Sequence, residues 1–255
     1  KHNTAYDIPL RLVGSEMCIR DRAKVAIIGA SGGIGSTISK KIRALDGENT
    51  VIEIVRTKTR ANQFEMDMLN ENSVARCAEE VKDKIGNLDI VLNTTGLLHT
   101  KNHAPERTYR EINFDYLEEI FQVNTFIPFL ISKYFTPNLT KDSASIIAFM
   151  SARLSSISDN KLGGWYSYRS SKTALNMLIK TLSVELSYSN KNAICVGLHP
   201  GTVDTKLSKP FTQKIKNKKI FTKDEAAEFL IEVLNNIDHN DSGSIIDWQG
   251  EKVPY

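Results

Sequence analysis

Short, fully apolar runs that alternate with helical segments are the feature that most constrains the fold of this chain. The first run, Val25 to Ile28, contains no polar residue and ends in glycines, as is typical of a strand buried on both faces of a sheet. The same reading predicts strands over 25–28, 51–55, 88–93, 145–150, 193–198 and 244–247, and helices over 34–45, 72–85, 114–135, 166–187 and 223–235. Alternating strands and helices predict a doubly wound parallel sheet with helices on both faces, because each crossover is long and right-handed.

This order of elements, with no internal repeat or linker, predicts a single-domain α/β Rossmann fold in which Gly47 closes the first helix. The 255 residues are 41% hydrophobic, and a net charge of +3 exerts little pull toward nucleic acid or membrane. No apolar run is long enough to cross a bilayer. Cys18, Cys77 and Cys195 are too scattered for a disulfide framework or a zinc site. We therefore expect a cytoplasmic protein with reduced thiols and no metal, nucleic-acid or membrane partner.

The first 22 residues do not share this regularity. They carry mixed charge around one short apolar run, residues 8–13, and lack the pattern of a signal peptide. Residues 13–22 resemble a translated sequencing adapter. The segment is therefore interpreted as non-native or as a disordered extension, and the folded domain is predicted over residues 23–255.

A glycine-rich turn, Gly29 to Gly35, joins the first strand to the first helix. Glycines let the backbone approach a pyrophosphate, and the helix N-terminus offers free N–H groups and the positive end of a dipole. The spacing Gly-x3-Gly-x-Gly differs from the Gly-x-Gly-x-x-Gly fingerprint, so a tight turn without a ligand is the alternative. The strand–turn–helix context favours a dinucleotide phosphate site.

The end of the second strand bears on which dinucleotide binds. Arg56 follows this strand and can make a forked, charge-assisted contact with a 2′-phosphate. The only nearby acid, Glu53, falls inside the strand rather than after it. NADP(H) is therefore favoured over NAD(H), with the alternative that Arg56 and Lys58 are solvated loop charges.

Tyr168 and Lys172 lie four residues apart and therefore project from the same face of a predicted helix. A phenol titrates near pKa ~10, and a neighbouring ammonium favours the phenolate, which brings the pKa nearer to neutral. Tyr166 cannot substitute, because its fourth neighbour is Ser170. The pair is predicted to be a catalytic acid–base unit; a surface pair on an amphipathic helix is the alternative.

These motifs, taken in order, resemble the short-chain dehydrogenase/reductase family over residues 24–255. The matching features are the 29–35 turn, Asp67 before a helix, Asn93-Thr94-Thr95-Gly96, Asn124 in a long helix, Ser151, Tyr168 with Lys172, and Pro200-Gly201. Residues 163–169 and 198–203 are similar to the branch that contains sniffer-type carbonyl reductases and C-factor-like proteins.

The resemblance implies roles for these residues. Tyr168 would donate a proton to the carbonyl oxygen as hydride arrives, and Lys172 would hold the ribose hydroxyls and lower the tyrosine pKa. Ser151 would hydrogen-bond the substrate oxygen, and Asn124 would seat a water for proton relay. The implied cofactor-binding residues are Gly29, Ser31, Gly33, Ile34, Gly35, Arg56, Asp67, Met68, Asn93, Gly96, Tyr168, Lys172, Pro200, Gly201, Thr202 and Val203.

The sequence departs from the family pattern at three places. Ile28 stands where threonine is usual, and the two central residues of the 93–96 motif are threonines. The usual serine pair after the fourth main strand reads Met150-Ser151-Ala152. Ser151 is favoured for the catalytic position, but a register slip of one residue would place Ala152 there, with Ser155 and Ser156 as the alternatives.

The predicted function is NADPH-preferring reduction of a small carbonyl compound, or oxidation of an alcohol, in a homodimer or homotetramer as the family implies. Trp165, Leu97, Leu98 and Phe211 are candidates to line an apolar substrate pocket, and basic residues 214–219 are expected to be a solvated loop. The alternative is a dinucleotide-binding signalling or sensor protein with little turnover. A nucleotide-sugar epimerase is disfavoured, because about 50 residues after the last catalytic strand leave little room for a second domain.

Overall fold

The computed structural model describes residues 22–45, 47–212 and 219–255, and their eight strands form one sheet. The strands are β1 (Lys24–Ile28), β2 (Thr50–Val55), β3 (Gln63–Glu65), β4 (Ile90–Asn93), β5 (Ser145–Met150), β6 (Ala193–His199), β7 (Ile245–Asp247) and β8 (Lys252–Val253). Their spatial order is β3-β2-β1-β4-β5-β6-β7-β8, and all neighbours are parallel except β7 and β8. The chain therefore reverses its direction of winding between β1 and β4, where ligands bind in sheets of this kind.

The helices cover both faces of the sheet. They are α1 (Gly33–Ala44), α2 (Glu71–Ile85), α3 (Phe114–Phe121), α4 (Ile127–Phe135), α5 (Tyr166–Ser189), α6 (Lys209–Thr212) and α7 (Lys223–Asn236). Apolar residues of α1 and α7 form one core, and those of α2, α4 and α5 form the other. Neighbouring strand residues enter opposite cores: Val91 faces the second and Leu92 the first. Burial of both strand faces explains the uninterrupted apolar runs.

The predicted fold class is confirmed, and the differences are local. The strand expected over 88–93 begins only at Ile90, because Leu88 makes a single bridge to Leu139 outside the sheet. The helix expected over 114–135 is broken by a π-helical turn at 122–126. Gly47 does not close α1; the helix ends at Ala44, and its C-cap, Leu45, has an extended backbone and donates its N–H to Ile42 O. The short elements β3, α6 and β8 were not predicted, because two to four residues carry too little periodicity.

Two predictions fall wholly or mostly on residues without a described structure. Residues 1–21 of the N-terminal segment lie outside the described part of the chain, as do 214–218 of the basic stretch. In the described ranges, no helix is both long enough and apolar enough to cross a membrane.

Glu53 is a buried carboxylate in the middle of β2. It is 3% exposed and accepts hydrogen bonds from Ser39 Oγ, from Gln63 Nε2 at 2.9 Å and from Arg60. Burial alone raises the pKa of this carboxyl, but the hydrogen bonds from Ser39 and Gln63 and the charge of Arg60 outweigh burial and lower the pKa. The acid within β2 is thus committed to holding β3 beside β2.

We expect Glu53→Gln to lower the free energy of unfolding by about 1–3 kcal/mol at pH 7, because it removes the charge that Arg60 and Ser39 bind. A lowered folded-state pKa stabilises the fold above the unfolded-state pKa of ~4.3, and this stabilisation is lost as the pH falls through the folded-state pKa. Urea unfolding followed from pH 7 down to pH ~3 should therefore show a constant gap between wild type and variant above pH ~5 and a closing gap below it. Glu79→Gln, on the exposed face of α2, is the control. A gap that stays constant with pH would contradict the assignment.

Candidate active site

The turn between β1 and α1 packs its backbone closely against the neighbouring strands. Gly29 has φ +82°, and its N–H donates to Ile54 O at 3.0 Å. A Cβ built on Gly35 would lie 2.5 Å from Thr94 Oγ1 and 2.7 Å from Gly29 O, so only glycine fits there. The N-cap, Gly32, has no side chain to cap the first N–H groups of α1. Those groups remain for an anion, and the predicted residues Ser31, Gly33 and Ile34 all belong to this turn.

The end of β4 lies beside this turn. Thr94 Oγ1 donates to Ile28 O at 2.8 Å, and Asn93 Oδ1 accepts from Thr95 N at 3.1 Å and Thr95 Oγ1 at 2.7 Å. Thr94 therefore joins the end of β4 to β1, and Thr95 binds the side chain of Asn93, the last residue of β4. A Cβ on Gly96 would lie 3.6 Å from Lys172 Nζ, so Gly96 marks the point where the two motifs meet.

Asn124 holds this loop against α5. It is fully buried in the π-helical turn, where its Oδ1 accepts from Leu97 N at 2.8 Å. Its Nδ2 donates to Leu97 O at 2.8 Å and to Ser171 Oγ at 3.1 Å. The extra residue of a π turn often occurs at functional sites. Asn124 therefore joins the loop after β4 to helix α5.

Tyr168 and Lys172 lie on one face of α5 and are 8% and 3% exposed. Lys172 Nζ donates to Met150 O at 2.8 Å, at the end of β5. Burial raises the pKa of Tyr168 to about 12 and lowers the pKa of Lys172 to about 7. For Tyr168 this is opposite to the direction expected from a neighbouring ammonium, because desolvation dominates and the Lys172 ammonium is directed at Met150. Both groups are shifted toward their neutral forms.

Ser151 directly follows β5 and is 5% exposed. Its Oγ donates to Asn176 Oδ1 at 2.7 Å, and Asn176 Nδ2 donates in turn to Ser155 Oγ at 2.7 Å. To donate to a substrate oxygen, the Ser151 hydroxyl would have to leave Asn176. Ala152 packs in the apolar cluster around Tyr168, and Ser156 Oγ pairs with Ser158 Oγ at 3.5 Å.

Aromatic and aliphatic side chains surround the Tyr168 ring. The Trp165 ring lies 6.2 Å from it and 5.2 Å from the Phe211 ring, between centroids. Leu98 packs in the same cluster, together with Leu154 and Leu207. Leu97 does not belong to this cluster, and its backbone N–H and C=O are bound by Asn124. The cluster therefore contains Trp165, Leu98 and Phe211 of the four predicted pocket residues.

The start of α5 is held by a residue that the sequence did not single out, Glu106. This carboxylate is 1% exposed and accepts from Ser167 N at 3.2 Å and from Ser167 Oγ. Its backbone oxygen accepts from Trp165 N, where Gly163, Gly164 and Trp165 all have φ between +55° and +66°. A carboxylate at a helix N-terminus is stabilised by the helix dipole. A lone acid in a loop gives no sequence signal for this contact.

The remaining predicted cofactor residues lie along the same edge. Arg56 is exposed at the end of β2, and Asp67 is exposed after β3, where its Oδ1 accepts from Leu69 N at 3.1 Å; Met68 is half-buried against the core.

After β6, the segment that contains Pro200 and Thr202 packs on Phe221. Thr202 O accepts from Phe221 N at 2.8 Å, and Val203 is buried. A Cβ on Gly201, which has φ +75°, would lie 2.6 Å from Phe221 Cε2.

The geometry thus divides the predicted residues into two groups. Gly96, Asn124 and Lys172 meet beside Tyr168, whereas the glycine turn, Arg56 and Asp67 line the ends of β1, β2 and β3. Within the described ranges, no group of three or more His, Cys, Asp or Glu side chains is placed to hold a metal ion. The site offers a buried phenol, a buried amine and an anion-binding turn.

Comparison with known proteins gives a consistent result. The sequence profile described as short chain dehydrogenase matches residues 23–216. The C-signal protein of Myxococcus xanthus is 25% identical over 170 residues, which cover 67% of this chain and 94% of that protein.

Two solved structures superpose closely. Carbonyl reductase Sniffer of D. melanogaster gives a TM-score of 0.78 at 22% identity and covers 92% of this chain and 100% of its own. An NADPH-bound carbonyl reductase from chicken fatty liver gives 0.78 at 25% identity with the same coverage. The resemblance to the branch that contains sniffer-type and C-factor-like proteins is confirmed.

Proposed function

Since the chain belongs to the short-chain dehydrogenase family, we propose that it is an NADPH-preferring carbonyl reductase acting on a small-molecule substrate. Family membership makes it an oxidoreductase that acts on CH–OH or C=O groups. The observation that carries the proposal is the buried Tyr168–Lys172 pair on one face of α5, beside the loop that follows β4. The similarity to an NADPH-bound carbonyl reductase supports both the cofactor and the substrate class.

The protein's own part in the reaction is to hold and deliver a proton. When bound, the nicotinamide supplies the hydride. Tyr168, with its pKa raised to about 12, keeps its proton at neutral pH and can donate it to the carbonyl oxygen. An alkoxide is a stronger base than a phenolate, so this transfer is favourable even from a buried phenol. The reverse reaction would begin with the Tyr168 phenolate, which takes the proton of the alcohol.

Lys172, Ser151 and Asn124 complete the proposed catalytic set. A charged Lys172 stabilises the phenolate that remains on Tyr168, and a pKa of about 7 leaves a large fraction of the amine protonated at neutral pH. The Ser151 hydroxyl turns away from Asn176 and donates a hydrogen bond to the substrate oxygen. Asn124 holds the loop after β4, beside which a water for proton relay would bind.

The glycine turn fits a dinucleotide. No side chain can enter at Gly35, and the uncapped start of α1 presents N–H groups to the pyrophosphate. Asn93, Gly96, Asp67 and the segment after β6 would hold the nucleoside halves. Arg56 would bind the 2′-phosphate. Glu53 already accepts hydrogen bonds from Ser39, Gln63 and Arg60, so it is not available to bind a ribose hydroxyl instead.

We place the catalytic domain at residues 23–255. A reducing compartment, the cytoplasm, suits the two described cysteines, Cys77 and Cys195, which are buried free thiols. Burial raises the pKa of Cys77 to about 12, which makes this thiol inert.

We expect Tyr168→Phe to reduce the rate of NADPH oxidation with aldehydes and ketones by roughly a hundred- to ten-thousand-fold, because the proton donor is lost. NADPH binding, measured by fluorescence titration, should be unchanged. Tyr166→Phe is the matched control, since Tyr166 is 41% exposed and lies on another face of α5. Equal rates in the two variants would reject Tyr168 as the acid.

The similarity to C-signal favours a second candidate, a dinucleotide-binding signalling protein with little turnover. This candidate gains support if the wild-type protein binds NADPH but reduces no carbonyl compound in the panel. A biological effect that survives in Tyr168→Phe would have the same meaning.

Arg56→Ala is expected to raise the Kd for NADPH roughly tenfold and to leave the Kd for NADH unchanged, because only NADPH carries the 2′-phosphate. Isothermal titration with both dinucleotides tests this. Arg76→Ala, an exposed arginine on α2, controls for the loss of one positive charge. Equal weakening of NADH and NADPH binding would remove Arg56 from the 2′-phosphate site.

The protein is proposed to be a homodimer formed through α4 and α5. These neighbouring helices and the π-helical turn before α4 expose large apolar side chains, each at least 50% exposed: Phe126, Phe129, Met177, Val184 and Tyr188. A contiguous apolar surface on an isolated subunit is typical of a subunit interface.

Sedimentation velocity should give twice the mass of one chain for the wild type and the mass of a single chain for Phe129→Asp, because a charge in the interface is costly to bury. Leu162→Asp, an equally apolar position at 87% exposure in the loop before α5, should remain dimeric. A monomeric wild type would refute the dimer without affecting the proposed chemistry.

A further inference from the structure

Lys223 reaches the glycine turn from the neighbouring helix. Lys223 is the first residue of α7, and α7 packs beside α1. An ion pair joins the two helices, with Lys41 Nζ of α1 at 2.7 Å from Glu228 Oε1 of α7. A Cβ built on Gly33 would lie 3.3 Å from Lys223 Cε and 3.4 Å from Thr205 Cγ2. The Lys223 ammonium is one bond beyond Cε, so it lies at the mouth of the turn.

This position is electrostatically unfavourable for a cation. Lys223 begins α7 and also lies against the start of α1, and the N-terminus of each helix is the positive end of its dipole. Helix N-termini favour acidic residues, so lysine at this position breaks a local rule of sequence preference. Such departures occur at functional sites, where a ligand supplies the missing charge.

The acids around Lys223 are already paired with other groups. Asp224 lies 3.6 Å from Lys41, and Glu225 accepts from Thr222 N at 2.8 Å in a capping box and lies 3.8 Å from Lys219. Among the ion pairs of the described residues, none includes Lys223. The uncapped start of α1, which has no acid in its first turn, and the Lys223 ammonium therefore face the same small space, and no described ion pair neutralises Lys223.

We propose that Lys223 binds the pyrophosphate of the dinucleotide, opposite the N–H groups of the glycine turn. The inference rests on the proposed function, because it requires that a dinucleotide binds at Gly29–Gly35. A pyrophosphate there accepts hydrogen bonds from the start of α1 on one side and a charge-assisted hydrogen bond from Lys223 on the other. Its charge also cancels the repulsion between the ammonium and the two helix dipoles.

This role differs from the role proposed for Arg56 in a way that can be measured. Arg56, at the end of β2, would contact a group that only NADPH carries. The pyrophosphate is common to NADPH and NADH, so Lys223 would contribute equally to both. The two residues therefore give opposite patterns of selectivity.

The experiment compares Lys223→Ala with Arg56→Ala and with Lys40→Ala, an exposed lysine on α1, by isothermal titration of NADPH and NADH at low and high salt. Lys223→Ala should raise both Kd values roughly tenfold at low salt, and the loss should shrink at high salt, where the wild-type contact is screened. Lys40→Ala should bind like the wild type.

A thermal unfolding measurement without dinucleotide gives the second readout. Because Lys223→Ala removes a cation from two helix N-termini, its Tm should equal or exceed that of the wild type. Weaker binding together with an unchanged or higher Tm is the signature of a residue kept for a ligand. A Tm that falls with the affinity would assign Lys223 a structural role and overturn the proposal.

Two further outcomes would overturn it. Unchanged Kd values in Lys223→Ala, with a wild type that binds both dinucleotides, would reject Lys223 alone and leave the proposed function standing. A loss restricted to NADPH would move Lys223 to the 2′-phosphate. If the wild type binds neither dinucleotide, the proposed function fails, and this inference fails with it.

Discussion

Burial of both faces of the sheet is the constraint from which the arrangement of the site follows. Strands that are apolar on both sides need a helix on each side, and parallel neighbours need long crossovers, so every main strand ends at the same edge. The reversal between β1 and β4 opens a crevice at that edge. The Gly35–Thr94 contact then allows α1 to begin directly against the end of β4. The glycine turn and α5, which carry the proposed cofactor and catalytic residues, are therefore brought to the same edge of the sheet.

Helix α5 is fixed by buried polar contacts rather than by apolar packing alone. Glu106 binds Ser167, Asn124 binds Ser171, and Ser151 binds Asn176, so two loops and the π-helical turn each hold a different part of α5. Buried polar groups without partners are costly, and a fully satisfied network therefore selects one position of the helix along its axis. That position sets where the Tyr168 hydroxyl lies relative to the end of β4.

Periodicity and spacing were sufficient to predict the fold and the central pair. Alternating apolar runs predicted every long element, and the four-residue spacing identified Tyr168 and Lys172 because both signals are local. Glu106 and Lys223 were not found, since each acts on a helix that starts far away in sequence. The π-helical turn at Asn124 was also missed, because one extra residue in a helix leaves the apolar pattern almost unchanged. Ser151 stayed ambiguous because the usual serine pair reads Met150-Ser151-Ala152, and the partner of its hydroxyl, Asn176, is revealed only by the folded chain.

The same burial that fixes the catalytic pair also determines which charges the site can bear. In a poorly solvated site, Tyr168 as phenol and Lys172 as amine are both favoured, and the pKa shifts of the two groups have this common cause. A site of this kind is suited to a reaction in which charge appears only transiently. The oxygen of a carbonyl substrate becomes strongly basic as hydride reaches the carbon, and a phenol with a raised pKa is still acid enough to protonate it. The phenolate left behind then lies in a low-dielectric surrounding, where interaction with a protonated Lys172 is stronger than it would be in water. Desolvation thus favours the neutral phenol at rest and, for the same reason, strengthens the attraction between the phenolate left by proton transfer and the protonated form of Lys172.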